Sequence, residues 1–171
     1  GEQVGDGSDP EVDIVVDPVD GTTASAKSLP DAVAVVALAE RGSMFDPGPC
    51  VYMDKLVVPA VAADAVDPDA PTADILTAVA AALSKDIGNL VVAVLDRPRH
   101  VDLVARIRTA GAAVKFLLDG DVAGAIAVGR PGAGVDMLMG VGGTPEAVLA
   151  AAALRCGGGA MFGRLHPRND E

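Results

Sequence analysis

The stretch "NLVVAVLDRPRHVDLVARIRTAGAAVKFLL", residues 89–118, decides the fold class. Residues 89–96 form an apolar run that stops at the charged turn Asp96-Arg97-Pro98-Arg99-His100. A short, continuous apolar run without alternation reads as a strand buried on both faces. The period then changes. Val101, Val104, Ile107 and Arg108 fall at helical spacing within 97–111, and Gly111 closes the helix. "AAVKFLL" follows as a second strand. Strand, helix and strand in immediate succession predict a sheet covered by helices.

The alternation continues in both directions. Downstream come a short helix over 120–129, a strand over 134–140 and a helix over 143–156, with Thr144 as its N-cap and Pro145 in its first turn. Upstream, Ile75, Leu76, Val79 and Leu83 give one apolar face to a helix over 72–85. Residues 50–58 are β-branched with rough alternation and read as a strand. Residues 28–40 read as a strand whose alanines leave a helix open, and 12–16 as a buried strand. The expected organisation is a unit over 1–58, a loop over 59–71 and an alternating lobe over 72–156. A flexible stretch, 157–171, follows from Gly157-Gly158-Gly159.

Composition sets limits. Only 2% of the 171 residues are aromatic while 50% are hydrophobic, so the core is built from Ala, Val, Leu and Ile. Such a core suits helix packed on sheet. The net charge of −11 excludes general nucleic-acid binding, which needs a basic face. The longest uncharged apolar run, Ala32 to Ala39, is too short to span a bilayer. Two distant cysteines, Cys50 and Cys156, imply neither a disulfide framework nor a zinc site, and a reducing cytoplasm is the expected location. The opening Gly1 and the closing "HPRNDE" read as the ends of a fragment.

The chemistry collects where strands end. Residues 12–16 run into Asp17-Pro18-Val19-Asp20-Gly21-Thr22, and 113–118 run into Asp119-Gly120-Asp121. The strand over 134–140 runs into Gly142-Gly143-Thr144-Pro145-Glu146. Each cluster alone is an ordinary turn or helix start. Arg97 and Arg99 are different, because positive charge at a helix N-terminus opposes the helix dipole and favours an anionic partner. In open α/β sheets, ligands bind beyond the carboxyl ends of the strands. Taken together, Asp17, Asp20 and Glu146 offer oxygen ligands to Mg²⁺ or Mn²⁺. Arg97 and Arg99 offer a phosphate clamp. That is the equipment of metal-assisted phosphate hydrolysis.

"VDPVDGTT" resembles the Asp-Pro-x-Asp/Glu-Gly-Thr signature of the lithium-sensitive, metal-dependent sugar and inositol phosphatases. "MFDPGPCVYMDKLVV", "LDRPRH", "DGDVAGAI", "GVDMLMGVGGTPEAVLAAA" and "GRLHPRNDE", in that order, resemble the class II, bacterial-type fructose-1,6-bisphosphatases. The resemblance implies a layered α/β sandwich with mixed sheets. It implies Asp17, Asp20 and Glu146 as ligands of Mn²⁺ or Mg²⁺, with Thr22 and Asp20 as catalytic residues. It implies that Asp20, Gly21, Thr22, Tyr52, Arg97, Pro98, Arg99, Asp119, Gly120, Asp121 and Gly143 bind a sugar bisphosphate. It also implies a homo-oligomeric complete enzyme with no nucleic-acid or membrane partner. Family members carry a further metal-binding Asp and Glu upstream of the first motif. The acids upstream of Asp17 here do not match them, so a non-catalytic sugar-phosphate-binding module is the alternative. A nucleotide-binding α/β domain, read from Gly140-Val141-Gly142-Gly143, is the third and weakest alternative, because no acid stands about twenty residues further on.

Overall fold

The structure is a computed structural model, and it describes residues 2–167. Its centre is a five-stranded sheet in the order β5-β4-β6-β3-β7. The strands are β3 (Tyr52–Val58), β4 (Val91–Leu95), β5 (Ala113–Leu117), β6 (Met137–Gly143) and β7 (Ala160–Leu165). β4 runs parallel to β5 and β6, while β3 runs antiparallel to β6 and β7. The sheet is therefore mixed, as the resemblance implies.

The unalternating run of β4 has the cause inferred for it, which is burial on both faces. Val92, Ala93 and Val94 of β4 are fully buried. Val92 and Val94 face α2 (Thr72–Ala82) and α3 (Val101–Thr109), packing with Leu76, Val79 and Ile107. Ala93 and Leu95 face the other way, with Ala125 and Val128 of α4 (Val122–Val128) and Ala150 and Leu154 of α5 (Thr144–Gly157).

A second, two-stranded sheet pairs β1 (Val12–Asp20) with β2 (Val33–Glu40), antiparallel, and α5 touches both strands. α5 therefore lies between the ribbon and the central sheet. Its Ala147-to-Ala153 segment, interrupted only by Val148 and Leu149, keeps the helix thin enough for that position. The layers run helices, sheet, helices, ribbon.

Three expectations are corrected. Residues 12–16 are not a buried strand: exposure alternates along β1, and Ile14 and Val16 stand 48% and 59% exposed. Only one face of the ribbon packs on α5. The strand also continues through Asp17-Pro18 to Asp20, with a register shift against β2. The flexible stretch expected over 157–171 contains a strand instead: β7, Ala160–Leu165, pairs with β3 from Met53↔Leu165 to Val58↔Ala160. The triple glycine is a tight connection into that strand. Residues 168–171 lie outside the described residues. Finally, β6 is displaced from 134–140 to Met137–Gly143, so the glycines read as loop belong to the sheet. The loop over 59–71 contains one 3₁₀ turn, Ala60–Ala65, and a short helix α1 (Thr22–Ala26) follows the first motif.

Candidate functional site

Parallel strands place their carboxyl ends on one edge of a sheet. Asp96–Arg99 after β4, Asp119–Asp121 after β5 and Gly142–Glu146 at the end of β6 are gathered there. β3 runs the other way, so its first residue, Tyr52, stands level with Gly143. The end of β1 completes the ring. A cleft of about 250 Å³ opens between them, lined by Asp17, Asp20, Gly21, Thr22, Tyr52, Arg97, Arg99, Asp119, Gly120, Asp121, Gly143 and Glu146. Of the residues expected from sequence, only Pro98 is outside the lining; it opens the 3₁₀ turn Pro98–His100, with Arg97 just before the turn and Arg99 within it.

Asp119 is the hub of one wall. Its Oδ2 accepts the Thr23 N–H at 2.9 Å and the Thr22 hydroxyl at 3.1 Å, while its Oδ1 accepts Arg97 at 2.7 Å. The Thr23 amide, the two threonine side chains and then the Arg97 charge hold the Asp119 carboxyl below its ordinary range. Arg97 also donates to the carbonyls of Asp96 and Leu118, at 2.9 and 2.8 Å, and so ties two strand ends together. Arg99 donates from Nε and Nη2 to the Val141 carbonyl at 3.0 and 2.7 Å, and its guanidinium lies 5.6 Å from the Tyr52 ring centre. Both arginines are thus oriented by the scaffold before any ligand arrives.

Asp20 is only 4% exposed, and its Oδ2 accepts the Val122 N–H at 3.1 Å. Burial, with the added charges of Asp121, Asp17 and Glu146, pushes its carboxyl up to about 6. Gly120 adopts φ +70°, and a Cβ there would come within 2.5 Å of the Asp20 carboxylate. Glycine at 120 is required on both counts. At the start of α5 the expected cap is displaced by one residue. Gly143 is the N-cap and Thr144 the first helical residue, fully buried.

The residues fit a hard divalent cation in a specific way. Glu146 Oε2 is buried with no hydrogen-bond partner among the described residues, as is Thr144 Oγ1. A buried carboxylate oxygen without a donor is costly, and a cation removes the cost. The donors of Asp17, Asp20 and Glu146 are all oxygen, which suits Mg²⁺ or Mn²⁺. Among the described residues no three such groups are already gathered closely enough to enclose an ion. Asp17, Asp20 and Glu146 thus line one cleft without enclosing an ion by themselves.

Sequence reasoning missed two residues. His100 is 3% exposed; it accepts the Val141 N–H on Nε2 at 2.8 Å, so Nδ1 carries the proton and donates to the Leu95 carbonyl at 2.8 Å. Burial, then the neighbouring Arg99 charge, holds its pKa below the ordinary value. Lys55, 3% exposed, bonds both oxygens of Asp121. A lysine within an apolar strand and a histidine after Arg-Pro-Arg were the available signals.

The family model described as bacterial fructose-1,6-bisphosphatase, glpX-encoded, matches residues 1–171. The chain belongs to this family. It is 44% identical over 155 residues to a protein of Synechococcus sp. (strain JA-3-3Ab) named D-fructose 1,6-bisphosphatase class 2/sedoheptulose 1,7-bisphosphatase. That alignment covers 91% of this chain and 44% of the relative. A protein of the same name from Synechococcus sp. (strain RCC307) is 44% identical over 165 residues, covering 96% of this chain and 49% of the relative. The chain spans a little under half the length of these relatives. No helix among the described residues is long and apolar enough to cross a membrane.

Proposed function

We propose that this chain carries the sugar-phosphate-binding part and three metal ligands of a divalent-metal-dependent bisphosphatase that hydrolyses the 1-phosphate of fructose 1,6-bisphosphate. Sedoheptulose 1,7-bisphosphate, present in the relatives' names, is the second candidate substrate. The observation that carries the reading is the single cleft in which the Asp17–Thr22 motif, two scaffold-held arginines and Glu146 meet.

Arg97, Arg99 and Tyr52 bind and orient the bisphosphate. Asp17, Asp20 and Glu146 hold Mn²⁺ or Mg²⁺, which supplies Lewis acidity toward the phosphoryl group and the attacking water. Thr22 donates a hydrogen bond from its hydroxyl to Asp119, which leaves a lone pair on the hydroxyl oxygen free to accept a hydrogen bond from, and so orient, a water beside the phosphorus. That these three carboxylates do not enclose an ion by themselves supports a second reading, binding without turnover by this chain alone. For the complete enzyme we expect a cytoplasmic homo-oligomer.

Phosphate release from fructose 1,6-bisphosphate by this chain, with Mn²⁺ or Mg²⁺ and a Thr22→Ala control, tests the reading. Turnover abolished by T22A supports a self-sufficient site. Binding without turnover supports a site completed by further ligands. No binding of the bisphosphate in the presence of either metal overturns both readings.

A further inference from the structure

Five carboxylates line the cleft: Asp17, Asp20, Asp119, Asp121 and Glu146. Ion pairs sort them. Asp119 has Arg97 at 2.7 Å, and Asp121 has Lys55 at 2.7 Å. Among the described residues, no ion pair reaches Asp17, Asp20 or Glu146. Arg97 belongs to the wall, but Lys55 lies beneath it. It is 3% exposed and reaches Asp121, itself 4% exposed, from the middle of β3. Its Nζ donates to both Asp121 oxygens, at 2.8 and 2.7 Å.

A buried ammonium is a costly way to fill a core position, since an apolar side chain of similar volume packs as well or better. The surrounding backbone is also shaped to admit it. A Cβ at Gly142 would collide with Asp121 Oδ2 and stand 2.9 Å from Lys55 Nζ. Asp121 in turn sets the residues on either side. Gly120 packs against the Asp20 carboxylate, and the Val122 N–H donates to it.

We propose that Lys55 is a positioning residue for the cleft. By taking both oxygens of Asp121 it fixes the Asp119-Gly120-Asp121 turn in the form that receives the sugar phosphate, and it withholds Asp121 from the ion-binding set of Asp17, Asp20 and Glu146. Lys55 touches no substrate. The inference rests on the reading of the cleft given above.

The test uses this chain with Lys55→Met, the milder Lys55→Gln, Asp121→Leu and the double variant K55M/D121L. Fructose 1,6-bisphosphate affinity is measured by calorimetry on the folded protein in the presence of Mn²⁺, and amide NMR shifts report on 119–122. K55M is expected to weaken binding about tenfold or more and to move the amides of the turn. K55Q, which can still donate one hydrogen bond, is expected to lose several-fold. D121L is expected to lose as much as K55M, and the double variant no more than either. A residue that merely stabilises the fold would lower the melting temperature and leave the affinity of the folded protein alone. Wild-type affinity in K55M or K55Q, unmoved amides at 119–122, or fully additive losses in the double variant would overturn the proposal. If the wild-type chain does not bind the bisphosphate, the reading of the cleft fails; displaced turn amides in K55Q would still uphold the positioning role.

Discussion

The two sheets are made of similar residues and behave differently. β4 places Val92 and Val94 under α2 and α3, and Ala93 and Leu95 under α4 and α5, so consecutive side chains on both faces count toward the core. β1 places Ile14 and Val16 outward beside Leu38 and Val36 of β2, and only the alternate residues reach α5. The central sheet is a scaffold supported on both faces. The ribbon is a lightly supported carrier that delivers Asp17, Asp20 and Thr22 to the cleft. A valine has no fixed worth; what it contributes is set by how many layers cover it.

The largest effect should come from stripping the buried ion pair beneath the cleft. Lys55→Met leaves Asp121 charged and unpaired, and we expect a loss of about 3–5 kcal/mol by denaturant unfolding. K55M/D121L should recover most of that stability, which would separate fold from function. Next, Leu76→Ala, beneath the central sheet, should cost about 2–5 kcal/mol, whereas Val16→Ala on the open face of the ribbon should stay within about 0.5 kcal/mol. Equal losses would erase the contrast between the sheets.

Asp20 offers a smaller and oppositely signed effect. Its carboxyl, raised to about 6 by burial and neighbouring charge, keeps its proton in the folded chain where the unfolded chain has lost it. The folded state therefore binds more protons between the ordinary aspartate value of 3.8 and about 6, and the stabilisation from this group is lost as pH rises through that window. Asp20→Asn keeps an acceptor for the Val122 N–H and removes the charge. It should stabilise the metal-free chain at pH 7 by roughly 1–3 kcal/mol, with the advantage over wild type vanishing toward pH 4. Mn²⁺ should raise the melting temperature of wild type and not of D20N. Asp119 and His100 act in the other direction, since both are held below their ordinary values and lose stabilisation on acidification. The difference between D20N and wild type isolates Asp20 from them. Val36→Lys should have the smallest effect on stability, within about 0.5 kcal/mol, and should lower self-association at high concentration by sedimentation.

The alternating order of strand and helix from α2 to α5 was legible because each element carries its own period, and so were the clusters at the strand ends. The ribbon was misjudged because Ile14-Val15-Val16 reads as unbroken apolar sequence, while which face is covered depends on α5, more than a hundred residues away. β7 was missed because "AMFGRL" is too short and mixed to announce a strand without its partner β3. Family motifs marked the cleft residues individually, and the structure brings all but Pro98 into its lining.

Sequence alone determined the types of the elements from α2 to α5, the acidic character, the low-aromatic core and the residue kinds available for catalysis. Those follow from local spacing and composition, which a linear chain displays directly. Tertiary structure decided which acids are paired. Arg97 reaches Asp119 across 22 positions, Lys55 reaches Asp121 across 66, and Asp20 meets Val122 across 102. Such pairings depend on sheet order and layer stacking, so they leave no period in the sequence. They are what leave Asp17, Asp20 and Glu146 without a cationic side-chain partner among the described residues.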